Sequence, residues 1–246
     1  MISLPGVLFA VILFLTINEP PRAGRPAPGR SLATSIRRFL ADPLLRITAL
    51  MAGVSSFTGF SISAWLPSYL MRVQGMSLEE LGTYYGAPYA LFFGAGLWSA
   101  GFLADRLARR TPAAYALVPA GALFLAAPAL LLATAMPGWA LAFAAFLLPL
   151  MLAQMFLAPM LTIIQNHSAP DQRSVGSAIF LFVNSLVGAG FGPLYVGEIS
   201  DLLKPAYGVD SLRFGLMALA PVALVGAAGQ LLIARQLRAR AARGAA

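Results

Sequence analysis

Gly101-Phe102-Leu103-Ala104-Asp105-Arg106-Leu107-Ala108-Arg109-Arg110 joins two long apolar runs, residues 84–104 and 113–134. A bilayer core of about 30 Å takes about 20 apolar residues of helix to cross. A short basic turn between two such runs is what two membrane-spanning helices joined on one side of a bilayer require. Gly101 and Ala104 are small enough to let helices approach closely. Asp105 can pair with Arg106, Arg109 or Arg110, or face a helix N-terminus, where the dipole favours an anion. An ordinary basic loop holding one acid fits the same residues.

Working outward, six runs are long and apolar enough to span: 46–71, 84–104, 113–134, 138–165, 175–200 and 213–234. A seventh, Ile2 to Ile17, is slightly short; it lacks the basic start and small-residue cleavage site of a signal peptide. Of the 246 residues 59% are hydrophobic and 11% charged, against roughly 25% charged in a soluble domain. Lipid is the matching solvent. Strands of a membrane barrel alternate over about 10 residues rather than staying apolar for 20, so the expectation is an all-α integral membrane bundle of six full helices and a truncated leading one. There is no cysteine and a single histidine, His167, which predicts no metal site and no cofactor. The net charge of +8 sits in short connections, a membrane-topology pattern rather than a nucleic-acid face.

If the spans alternate, Arg22, Arg25, Arg30, Arg37 and Arg38 fall on one side with the 106–110 arginines, Arg173, and Arg235, Arg238, Arg240 and Arg243. The other side keeps Arg72, Lys204 and Arg213. The positive-inside rule makes the first side cytoplasmic, with the C-terminus inside. Residues 18–43, rich in Pro, Gly and Arg, read as a solvated linker on the anionic inner leaflet, with a short amphipathic stretch at Leu32–Leu40. The expected divisions are 1–17, the end of a helix; 18–43, the linker; 44–236, the bundle; and 237–246, a basic tail.

The 101–110 stretch resembles the G-x-L-A-D-R-x-G-R-R loop of the major facilitator superfamily, with Ala108 where that pattern has Gly. A second stretch opens at Pro170-Asp171-Gln172-Arg173. It continues through Asn184-Ser185-Leu186-Val187-Gly188-Ala189-Gly190-Phe191-Gly192-Pro193 to Val196-Gly197 and Ser200-Asp201. It is similar to the eleventh helix of spinster-like transporters, with Ser185 in place of the usual Leu. Asp210-Ser211-Leu212-Arg213 and Glu19-Pro20-Pro21-Arg22 resemble the same branch. The likeness runs the length of the chain, from about a sixth helix to a twelfth. It implies the C-terminal half of a secondary transporter in the cell inner (plasma) membrane, whose two halves rock about a central site. It also implies a small organic or lipid-like substrate and a partner in a missing N-terminal half. Asp105 is then expected to face a fifth-helix N-terminus that this chain lacks. The N-terminus near Ser174, beside Arg173, would meet an acid of that half. A fragment, a misassigned start and a half pairing with another half all fit this register.

Helical rise of 1.5 Å per residue puts Asn184 about 15 Å beyond Ser174, close to the midplane. Gly176, Phe180, Asn184, Gly188 and Gly192 recur every four residues and share a face. Close packing explains that stripe, and Gly188, Gly190, Gly192 and Pro193 are read as helix-packing residues. An unpaired amide in hydrocarbon is costly, so Asn184 belongs in the interior or in a wet cavity. Ser55 and Thr58 on one face, Tyr89 and Gln154 are the other cavity candidates, with packing an equal alternative for the hydroxyls. Glu198 lies about 36 Å past Ser174, at the outer interface and too far to serve as a mid-depth acid. A membrane-embedded transferase would need nucleophiles or clustered acids at the interface. His167, Asp171 and Arg173 offer no activated nucleophile, so no enzyme is expected. A non-transporting degenerate fragment is the remaining alternative.

Overall fold

The computed structural model describes residues 4–16 and 31–244, which form helices and short connections. Glu19-Pro20-Pro21-Arg22 and most of the predicted linker lie outside the described residues. Helix α1 (Leu4–Thr16) is a unit by itself. The second unit, from Leu32, holds α2 (Leu32–Ala41), α3 (Pro43–Arg72), α4 (Leu78–Tyr84), α5 (Gly86–Ala108), α6 (Ala114–Ala135), α7 (Trp139–Ala153) and α8 (Leu157–His167). It continues with α9 (Arg173–Asn184), a π-helical turn at Ser185–Phe191, α10 (Gly192–Tyr207), α11 (Ser211–Met217) and α12 (Leu219–Gly244).

Five continuous helical stretches are long and apolar enough to cross a membrane. The last, Pro170–Arg243, has 74 residues and doubles back at Gly208, whose φ of 56° suits a residue without Cβ. Antiparallel packing of α10 on α11 follows, with Ser200 and Ser211 hydroxyls 3.1 Å apart and Tyr195 donating to the Ala218 carbonyl at 3.3 Å. Divided at that turn, the five stretches give six long helical segments among the described residues of the second unit.

The runs are not straight. Turns interrupt them at Tyr85, at Gln154–Phe156 and at Ala218, and the π turn follows Asn184. Each break includes or directly follows the residue four before a proline: Pro88, Pro159, Pro221 and Pro193. Proline supplies no N–H to that carbonyl, and its ring pushes the carbonyl aside. At the Gln154 elbow the ladder tightens, with Gln154 N–H bonding Met151 O at 3.2 Å and Met155 N–H bonding Leu152 O at 3.1 Å. Pro67, Pro119, Pro128, Pro149 and Pro205 nevertheless sit inside unbroken helices.

Helix α3 is the hub, packed by α7, α8, α9, α10 and α12 together. Its serines and glycines fit that position: a helix surrounded by protein needs close approach more than oiliness. Helix α5 is at the edge, with 17% of its most apolar window buried against 56% for α3. Two expected divisions change. Helix α2 is docked rather than solvated, with Ser35 and Phe39 buried and Phe39 in one core with Leu44, Ile163, Phe180 and Ile233. The basic tail is a helical continuation of α12 through Gly244, with Leu237 buried. Arg240 bonds the Asp42 carboxylate, which also caps α3 by accepting from Leu44 N–H at 2.8 Å. That pair puts the end of α12 beside the start of α3, on one side of the bundle.

Candidate functional site

The small-residue stripe of α9–α10 lies directly on α3. Gly176, Phe180, Asn184, Gly188 and Gly192 are all buried. A Cβ on Gly188 would stand 2.1 Å from Ser56 Oγ, and one on Gly192 would stand 2.6 Å from Ser61 Oγ. Pro193 contributes through its carbonyl, which accepts from Trp65 Nε1 at 2.8 Å. Gly190 departs from the expectation: it is exposed, and the nearest atom to a Cβ there is Ser185 O, 4.0 Å away. Two residues along a helix turn it about 200° from Gly188 and from Gly192, so it points away from α3.

Ser56 Oγ donates to Asn184 O at 3.0 Å as well as to Gly53 O at 2.8 Å, so the hub helix holds the backbone where the regular ladder gives way. The Asn184 side chain is buried, and its Oδ1 has no hydrogen-bond partner among the described residues. Next around α3, Gly59 makes room for Gln154: a Cβ there would meet the Gln154 Nε2 at 2.9 Å. From α5, Gly96 does the same, its Cβ position lying 2.3 Å from Met151 O and 3.1 Å from Gln154 Cβ. The Gln154 amide thus sits in the elbow between two glycine-bearing helices, without a hydrogen bond to another described residue. Tyr89 closes this flank, donating to Ser63 Oγ at 2.9 Å while Ser63 donates to Gly59 O.

Ser55 and Thr58 do not join them. At about 100° per residue, Thr58 lies on the flank of α3 away from Ser56, and both residues are buried. Ser55 accepts from the Gln230 amide at 3.1 Å and donates to Met51 O. Gln230, fully buried on α12, also directs its Nε2 at the Met160 sulfur, and its Oε1 has no partner among the described residues. Sequence reasoning passed over Gln230. Its signal was a lone amide inside the last apolar run.

At the basic end, Asp105 accepts from Tyr115 Oη at 2.9 Å across the α5–α6 turn, a partner not foreseen. Phe102, Asp105, Arg106, Leu107, Arg109 and Arg110 line a cleft of about 590 Å³, and the three arginines are exposed. Arg173 is exposed at the start of α9. His167 Nδ1 lies 3.0 Å from Ile163 O, and Glu198 is exposed toward the other end.

Residues 1–193 match the family model of the Major Facilitator Superfamily. An MFS-type efflux pump of Mycolicibacterium smegmatis is 34% identical over 222 residues, covering 90% of this chain and 52% of that protein. Protein spinster homolog 1 of Bos taurus is 30% identical over 250 residues, covering 91% and 47%. Among solved structures, a bacterial homolog of the human lysosomal transporter Spinster, inward-facing and unoccupied, superposes with a TM-score of 0.75 at 26% identity. That match covers 96% of this chain and 58% of the other. The chain spans about half the length of the curated relatives it matches.

Proposed function

This chain belongs to the major facilitator superfamily, and on that premise we propose that it is one six-helix half of a secondary transporter rather than an enzyme. It works with a second, N-terminal half to move a small organic or lipid-like solute across the cell inner (plasma) membrane. The observation that carries this reading is two buried amide side chains on residues packed against the hub helix, Asn184 at Ser56 and Gln154 at Gly59. Gln154 is the fifteenth residue past Trp139, and Asn184 is eleven past Arg173, so both lie about 16–23 Å from a helix end. Polar groups at that depth are costly unless they are paired or face a wet path. Among the described residues the charged side chains lie in α2, in loops, toward helix ends or, for Glu198 and Asp201, in the last ten residues of α10, so neutral amides and the Tyr89 hydroxyl are what this half offers a solute at mid-depth.

The edge helix α5, with its exposed Leu91, Trp98 and Phe102, is the face on which the N-terminal half would dock. Asp105, held by Tyr115, and the surrounding arginines would latch the halves on the side that the charge bias assigns to the cytoplasm. Arg173 would take the corresponding place at the start of α9. Ethidium and a fluorescent lysophospholipid serve as probes of the two solute classes, small organic and lipid-like. The test is efflux of both from vesicles holding the full-length transporter, with Asp105→Asn as the latch variant. Transport of either probe that falls steeply in the variant supports the reading. Normal turnover in Asp105→Asn removes the latch role.

A further inference from the structure

Helix α2 buries only part of its apolar arc. At about 100° per residue, Ser35 and Phe39 fall together and face the bundle, where both are buried. Leu32, Ile36 and Leu40 form the adjoining stripe and stay open, Leu32 at 64% exposure and Leu40 at 48%. An open apolar stripe on an amphipathic helix at the edge of a membrane bundle is the pattern of a helix lying in the lipid interface.

Basic groups rim this stripe. Arg37 follows Ile36 on the flank next to it and is exposed, as is Arg38. Arg46, exposed on the first turns of α3, donates from Nη1 to the Leu40 carbonyl at 3.1 Å, which fixes its guanidinium at the end of the stripe. The nearest acid on these turns, Asp42, is taken up by Arg240 and the α3 N-terminus. Beside these residues α2 and α9 flank an open groove of about 400 Å³, lined by Leu32, Ile36, Val175, Ala178, Ile179 and Phe182 together with Ser174. Phe182 is nine residues along α9 from Arg173, so the groove descends about 13 Å from the interface.

A cationic rim over an apolar slot that runs into the hydrocarbon has the charge and depth of one phospholipid. We propose that the α2–α9 groove seats an anionic phospholipid of the cytoplasmic leaflet, an acyl chain against Ile36, Ile179 and Phe182 and its phosphate on Arg37 and Arg46. The site rests on the orientation proposed above but not on transport, so loss of flux and loss of lipid are separate results.

The full-length protein is placed in phosphatidylcholine nanodiscs doped with a phosphatidylglycerol bearing a photoreactive acyl chain, and adducts are mapped by mass spectrometry. Adducts are expected within Leu32–Leu40 and Val175–Phe182, displaced by unlabelled phosphatidylglycerol and not by phosphatidylcholine. The double variant R37Q/R46Q should retain the probe on the order of thirty-fold less, from the loss of two surface charges. Equal labelling by phosphatidylcholine and phosphatidylglycerol probes overturns the site. So does absence of adducts at these two segments in the unsubstituted protein, including the case in which another polypeptide fills the groove. The competition needs no variant, so a misfolded double mutant leaves the answer intact.

Discussion

Replacing Gly188 by alanine tests the packing of α9–α10 on α3. The new methyl would fall 2.1 Å from Ser56 Oγ, 2.7 Å from Ser56 Cβ and 2.9 Å from Phe60 Cδ2. No rotamer of Ser56 moves its Cβ, so the two helices must part. Overpacking of this kind costs about 1–3 kcal/mol. Parting also strains the Ser56–Asn184 hydrogen bond, and an interhelical bond in a membrane protein is worth about 0.6 kcal/mol. Gly188→Ala should therefore destabilise by roughly 2–3 kcal/mol. Gly190→Ala, two residues on, meets only Ser185 O at 4.0 Å and should stay within about 0.5 kcal/mol. Reversible unfolding in mixed micelles measures both. Ser56→Gly removes two of the three clashing atoms, so the double variant with Gly188→Ala should be less damaged than the sum of the singles by on the order of 1 kcal/mol. Equal effects at 188 and 190, or strict additivity with Ser56→Gly, would refute the packing argument.

Two other perturbations address the polar interior and the basic end. Gln230→Leu loses the bond to Ser55 but also removes an amide oxygen buried without a partner. Its unfolding free energy should change by less than about 1 kcal/mol, whereas Gln230→Ala leaves a cavity and should cost about 2 kcal/mol or more. Burial alone would raise the Asp42 carboxyl, but the Arg240 hydrogen bond, the Leu44 N–H, the Arg240 charge and the Leu45 N–H outweigh it and hold it below its ordinary value of 3.8. The stabilisation is therefore complete above that value and is lost as pH falls through the lowered one. The gap in melting temperature between the native chain and Asp42→Asn should be constant near neutral pH and shrink only in that acid range; a gap that closes near pH 6 would contradict it.

The membrane bundle was legible because hydrophobic run length is a strong signal. The Asn184 stripe was legible because four-residue spacing puts its members on one face in any α-helix. What escaped was set by tertiary context. Pro88, Pro159, Pro193 and Pro221 accompany breaks, yet Pro67, Pro119, Pro128, Pro149 and Pro205 do not; whether a neighbour re-satisfies the freed carbonyl is not a local property. Gly190 was assigned to packing with the neighbouring glycines, although two residues of helix carry it about 200° from Gly188, to the outer face. Ser55 was separated from Asn184 by the arrival of Gln230 from α12, a pairing across 175 residues. Phe39 and Arg240 sit in segments whose composition reads as solvated, and packing on Leu44 and Asp42 overrode it.

Accessibility at mid-depth tests the central claim, that Gln154 and Asn184, both packed against α3, border a solute path. The chain has no cysteine, so single cysteines can be read cleanly with a water-soluble, membrane-impermeant maleimide on the full-length transporter. Gln154→Cys and Asn184→Cys should react, and Ser55→Cys and Thr58→Cys, on the flank toward α12, should stay unlabelled until the protein is unfolded. Labelling at 154 and 184 no faster than at 55 and 58 would mean that the amides lie in a dry interior, and the account of this half as the wall of a transport path would fail.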